Sequence, residues 1–206
     1  MRKPSAMVAL VSLAFSLGCA SSGARSTRAF FSVDNTHKSL VAARDQVNRT
    51  AQSLQTVIDQ SGDIQAAYKE FSRNVDRMNE EAREVEDRAN EMRENRSAYL
   101  KQWSKESKAI QDEEIARLAA SRQQEIEREF NALTESMAQA KQALEPYVQG
   151  LNDIRTYLKN DLTSTGLQNM KPVAERILGN GTTVNEILDQ TDSALTEVSA
   201  ALAPRS

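Results

Sequence analysis

Two mirrored stripes of apolar residues constrain this chain more than any other feature. The first comprises Ile64, Tyr68, Phe71, Val75, Met78, Ala82, Val85, Ala89, Met92, Tyr99 and Trp103. The second comprises Ala119, Ile126, Phe130, Leu133, Met137, Ala140, Leu144, Tyr147, Leu151, Ile154 and Leu158. Both advance by three, four or seven residues, which keeps the side chains on one helix face and makes a coiled-coil seam. They mirror each other about a polar turn near Gln111-Asp112, so folding back sets Phe71 opposite Leu151, Val85 opposite Met137 and Trp103 opposite Ala119. The spacing predicts an antiparallel hairpin with helices over about 63–110 and 112–162. The first of these would run roughly 70 Å at 1.5 Å per residue.

Two shorter helices flank the hairpin. One is expected over about 36–60, capped by Asn35 or Thr36, with Leu40, Val47, Ala51, Leu54 and Ile58 on one face. Gly62 suits its stop and Asp63 the next cap. The last is expected over about 167–202, with Pro172 in its first turn and Met170, Ile177, Val184, Leu188, Leu195, Val198 and Leu202 inward. Gly179-Asn180-Gly181 is either a break or a small-residue contact point, and Pro146 reads as a kink because the spacing continues through it. Short connections make sequential helices antiparallel neighbours. The expected class is all-α: a long antiparallel coiled-coil hairpin with the first and last helices packed at its base as a four-helix bundle. Residues 35–203 form that elongated domain, only two helices reach the distal turn, and 204–206 are a frayed end. Arg96 and Gln123 occupy seam positions, which weakens the distal half while helping to set register.

Composition agrees with long helices around a narrow core, since the 206 residues are 39% hydrophobic and 27% charged, with only seven Gly and four Pro. The formal net charge is −3, and losing residues 1–18 removes Arg2 and Lys3, leaving 24 bases against 29 acids, or −5. A mildly acidic surface of interspersed charge lacks the basic stripe that nucleic-acid binding needs.

The first residues read as an address. Arg2 and Lys3 precede an apolar run from Ala6 to Leu17, too short to span a bilayer, and the run closes on Leu17-Gly18-Cys19. Residues 1–18 are therefore expected to be a signal peptide. The only cysteine stands at its end and cannot form an internal disulfide. This pattern resembles the lipobox of bacterial lipoproteins, although Ser16 stands where Leu is usual. The resemblance implies that Cys19 is acylated and becomes the mature N-terminus. It also implies, with Ala20 following, the periplasmic face of the outer membrane. An ordinary signal peptide cut after Ala20 or Ala24, giving a soluble periplasmic protein, is the competing reading. On the lipoprotein reading, residues 19–34 are a lipidated N-terminus and flexible tether, in which Phe30-Phe31 docks on the helical body or touches lipid.

Short motifs extend the reading. They are Phe31-Ser32, His37-Lys38, Leu40-Val41, Ala43-Arg44-Asp45-Gln46, Trp103 with Glu106, Leu118 with Ser121, Glu145-Pro146 and Tyr157-Leu158-Lys159-Asn160. With these the chain resembles a bacterial family catalogued as domain of unknown function 2959. The family usually continues with a second Asn and a small residue, where this chain has Asp161-Leu162-Thr163. The resemblance implies the helical fold and carries no activity.

Catalytic patterns are sparse. The single histidine, His37, reads as a capping or surface residue, and the Asp112-Glu113-Glu114 run answers a helix dipole more simply than it binds a metal. No Glu-x-x-His pair of a carboxylate di-metal bundle occurs in the sequence. We expect no catalytic residues, cofactor, metal, nucleic acid or small-molecule substrate. Tyr99 and Trp103 are candidates for a partner-contact patch, with seam packing as the alternative. The expected role is a non-enzymatic scaffold, spacer or adaptor for an envelope protein, or else a chaperone-like client binder; homo-oligomerisation is left open. Replacing Cys19 by Ala should leave the protein unprocessed by the lipoprotein peptidase and devoid of radiolabelled palmitate. Wild type that takes up no label overturns the anchor.

Overall fold

The computed structural model describes residues 20–60 and 62–203, with side chains from residue 32 onward. It contains α1 (Ala20–Ile58), α2 (Ile64–Ser107), α3 (Glu113–Asn160) and α4 (Ser164–Leu202), and no strand among the described residues. The fold is all-α, a long α2–α3 hairpin with α1 and α4 packed alongside as a four-helix bundle. Each helix packs on two neighbours in the ring order α1, α2, α3, α4, and no diagonal pair brings its backbones together.

Local chemistry accounts for the helix ends. Asp63 caps α2 by accepting from the amides of Gln65 (2.9 Å) and Ala66 (3.2 Å), and Asp112 caps α3 by accepting from Glu114 (2.9 Å) and Ile115 (3.0 Å). Thr163 Oγ1 accepts from the Gly166 amide at 3.1 Å and starts α4. A Cβ on Gly166 would lie 2.5 Å from the Asp161 carbonyl oxygen, so this turn needs glycine. At the first turn Gly62 has φ +77, the left-handed conformation that glycine tolerates best.

Cross-helix pairs fix the register. On α2 and α3, the Tyr68 hydroxyl donates to the Arg155 carbonyl (3.2 Å), Asn152 Nδ2 donates to Asn79 Oδ1 (3.1 Å) and Lys141 pairs with Glu86 (2.6 Å). Numbers rise on one helix as they fall on the other, the antiparallel hairpin that the stripes imply. Ser136 meets Thr191 across α3 and α4 (2.9 Å), and Asn185 Nδ2 donates to Asn48 Oδ1 across α4 and α1 (2.7 Å). Between α1 and α2 the buried amide of Gln46 donates to the Asn74 carbonyl (3.0 Å), which also accepts from Thr50 Oγ1 (3.2 Å).

All the α3 seam positions from Ile126 to Leu158 are buried, as are Phe71, Val75, Met78, Val85 and Met92 on α2. Tyr147 sits inside the bundle. Its ring lies against Gly181, where a Cβ would come within 3.1 Å of it, and its hydroxyl reaches the Val47 carbonyl on α1 at 3.4 Å. The Gly179–Gly181 segment is thus a contact point within a continuous α4. α3 likewise continues through Pro146.

Several boundaries differ from those expected. α1 is helical from Ala20, the first described residue, and does not begin near Asn35, so residues 20–34 are helical where the sequence predicts a flexible tether. That stretch has no proline, and extending a helix already nucleated by the bundle is far easier than starting one. Thr36 is no cap: it is buried in mid-helix and its hydroxyl donates to the Ser32 carbonyl (2.8 Å). Because α4 starts at Ser164, Pro172 lies inside that helix and not in its first turn. The leader, Cys19 and the side chains of Phe30-Phe31 lie outside the described residues.

The reach of α1 and α4 also differs. Thr36 Oγ1 contacts the Arg88 carbonyl (3.5 Å), so continuing from residue 36 to residue 20 carries α1 about 24 Å further, level with about Ser104. The Arg122 guanidinium donates to the Ala201 carbonyl near the end of α4. The four-helix section therefore occupies most of the length and not just a base, and α1 accompanies the hairpin nearly to its turn. Ala20, the first described residue, lies near that turn.

Packing at the glycines gives a contrast. Gly181→Leu should destabilise by about 1–3 kcal/mol through overpacking against Tyr147. Gly179→Ala, whose Cβ meets nothing within 4 Å, should stabilise by roughly 0.5–1 kcal/mol. Urea unfolding midpoints check both. Burial also raises the Tyr147 phenol above its ordinary pKa of 10.0. The unfolded chain then loses that proton first, so the contribution is complete below pH 10 and declines as pH rises beyond it. Tyr147→Phe should flatten this alkaline decline in unfolding free energy.

Candidate functional site

The hairpin tip is built from seam positions that lose their cover. No residue between Met92 on α2 and Ile126 on α3 is buried. Within this stretch Tyr99 and Trp103 are half-buried against the edge of the core, their rings edge-to-face with centroids 5.6 Å apart at 82°. Burial raises the Tyr99 phenol pKa, and nearby Arg122 opposes part of that rise. The structure therefore brings the two sequence candidates together as seam packing with exposed edges. Arg96 stays at the seam by resting its guanidinium 6.0 Å from the Phe130 ring centroid while Nη2 donates to Asn131 Oδ1. Gln123 is half-buried.

Two side chains at the tip were passed over by the stripe reading. Ile115 is 55% exposed and Leu118 65% exposed, and with Val173 they are the large exposed hydrophobic residues among those described. Their signal was available: they are apolar residues off the stripe that continues through Ala119. On α2, Lys101, Lys105 and Lys108 recur at helical spacing and line a shallow depression, all three exposed.

A second feature lies between α2 and α3 at mid-length. An open groove of about 600 Å³ is lined by Ala82, Val85, Ala89, Met137, Leu144 and Val148, with Arg83, Glu86, Arg93 and Lys141 among its polar lining. Alanine at Ala82 and Ala89, on either side of Val85 in the α2 seam, leaves the hairpin under-filled on this side. The Lys141–Glu86 ion pair spans it, and the Glu86 carboxylate raises the lysine pKa.

The other candidates fall elsewhere. His37 lies within α1, half-exposed, and hydrogen-bonds Asp192 on α4 through Nδ1. Asp112, Glu113 and Glu114 occupy the cap and first turn of α3. Among the described residues no group of three or more His, Cys, Asp or Glu side chains converges as a metal site. No described helix is long and apolar enough to cross a membrane.

A family model described as "Protein of unknown function (DUF2959)" matches residues 26–203. The chain belongs to that family. The match takes in the groove, the tip and nearly all of the four helices, so the DUF2959 unit is this elongated bundle. Neither the comparison with curated proteins nor that with solved structures returns a match.

The burial pattern sets a gradient along this family member. Backbone amides of residues 95–107 and 113–122 should exchange at least about tenfold faster than those of residues 71–85 and 140–154, because few buried contacts oppose local opening. Hydrogen exchange with equal protection at both ends would contradict it.

Proposed function

We propose that this DUF2959 protein is a non-enzymatic envelope protein, lipid-anchored through Cys19 at the periplasmic face of the outer membrane, which works as a helical scaffold or adaptor. The observation that carries the contact role is the α2–α3 groove, a side-facing channel with an apolar lining and a charged rim. Its chemistry suits an amphipathic helix laid lengthwise. Apolar residues of the partner would cover the half-buried Ala82, Ala89 and Val148, and its charges would replace the exposed Lys141–Glu86 pair, which contributes little by itself. The location is supported by the apolar run ending at Leu17-Gly18-Cys19.

A chaperone-like client binder is the second reading, supported by Ile115 and Leu118 exposed on a loosely packed tip. A photo-cross-linker at Ala89, in the groove, should give a discrete adduct in intact cells, while one at exposed Thr56 on α1 should not. Adducts from neither position count against the adaptor. Suppression of aggregation of an unfolded client by the purified mature domain, lost on replacing Ile115 and Leu118 by Ser, would select the client binder instead.

A further inference from the structure

We propose that the α2–α3 tip seats in the lipid headgroup layer of the leaflet that holds the N-terminus, through Ile115 and Leu118. This rests on the anchored reading above and adds to it an orientation and a second membrane contact. Ala20, the residue after Cys19, is the first described residue of α1, and it is level with about Ser104 on α2. One residue spans at most about 3.6 Å, so a lipid on Cys19 holds the bilayer surface close to that level, with no long tether to relax it.

α2 runs on from Ser104 to Ser107, and the turn follows before Glu113. At about 1.5 Å per residue the tip stands roughly 5–10 Å beyond the anchored end, matching the depth to which interfacial helices bury their apolar side. An upright rod must therefore put its tip into the headgroups. The side chains there fit that medium. Ile115 and Leu118 are one helical turn apart on α3, and the C-terminal end of α4, near Arg122, leaves this part of α3 uncovered by it.

The charge there is also compatible. Lys101, Lys105 and Lys108 are exposed and can reach lipid phosphates from long apolar stems. Asp112 is engaged by the Glu114 and Ile115 amides, and Glu113 and Glu114 offset the α3 dipole. Residues 101–122 carry five cations and four anions, net +1 on a chain of net −3. The contact is led by apolar insertion, with only modest dependence on salt.

Trp103 is the only tryptophan in the chain and lies at this tip, a built-in reporter. The lipidated full chain would be reconstituted into phosphatidylethanolamine–phosphatidylglycerol vesicles containing lipid brominated near the glycerol backbone. The vesicles should carry the protein on flotation and quench Trp103 by about twofold or more, as expected for a ring at the interface. The Ile115→Ser, Leu118→Ser double variant should still float, keep wild-type circular dichroism and lose most of the quenching. Flotation without quenching, or quenching unchanged in the double variant, overturns the tip contact and leaves the anchor standing. Failure to float together with absence of palmitate overturns the anchored reading and this inference with it. A concentration-dependent dimer in detergent, abolished by the double variant, would assign the tip to a second copy and overturn the membrane contact.

Discussion

The bundle depends on a shortage of apolar volume in its central seam. Alanine stands at Ala82, Ala89 and Ala140, so the α2–α3 seam buries less apolar surface at these positions than Leu or Ile would. The deficit is met from the sides. α1 and α4 supply Leu40, Val47, Leu54, Leu167, Ile177, Leu188 and Leu195 to the same core. Burial on the hairpin then fades past Met92 and before Ile126, close to where α4 ends beside Arg122. A local stripe of seam residues continues to Trp103, yet without a fourth helix it is only half covered. The loose tip thus follows from bundle length as well as from the polar residues Arg96 and Gln123.

A core built mainly of Leu, Ile and Val repeats too evenly along each helix to set register alone, and cross-helix polar contacts supply it. Gln46 and Thr50 meet Asn74 between α1 and α2, Asn79 meets Asn152 between α2 and α3, Ser136 meets Thr191 between α3 and α4, and Asn48 meets Asn185 between α4 and α1. Moving any helix by one turn would break its clamp, and for the buried Gln46, Thr50 and Asn74 it would strand polar groups away from water. Gly150 and Gly181 add a steric constraint at one interface. Ile177 occupies the space of a Cβ on Gly150, and the Tyr147 ring crowds that of Gly181. Such contacts make the rod specific in register, which a scaffold with a fixed length and a fixed groove requires.

The architecture bears directly on how an anchored rod would be presented. With α1 helical from Ala20, a lipid on Cys19 would join a rigid body, and the turn joining α2 to α3 would face the bilayer. The opposite end, carrying the α1–α2 and α3–α4 turns, would then point away. The groove lies between the two ends and opens sideways, where a partner could dock at a defined height above the membrane. Height and orientation are properties of the bundle and not of any single residue in it.

Much of this was legible in the sequence. The inward faces of α2, α3 and α4, the caps Asp63 and Asp112, the Gly62 stop and the antiparallel order follow from the three–four spacing and from backbone groups that must be satisfied at helix ends. The half-buried state of Tyr99 and Trp103 also agrees with their place at the end of a stripe. The start of α1 was not legible. In residues 20–29 the helix-favouring Ala and Arg alternate with the weak formers Ser, Thr and Gly, so local preferences cancel, and Thr36, a good cap in isolation, is buried in mid-helix here. Nor could the sequence say how far along the hairpin α1 extends, or that Ile115 and Leu118 stay uncovered. Periodicity reports the face a helix presents to its neighbours; how far each neighbour extends along it is decided only when four helices of unequal length are laid side by side.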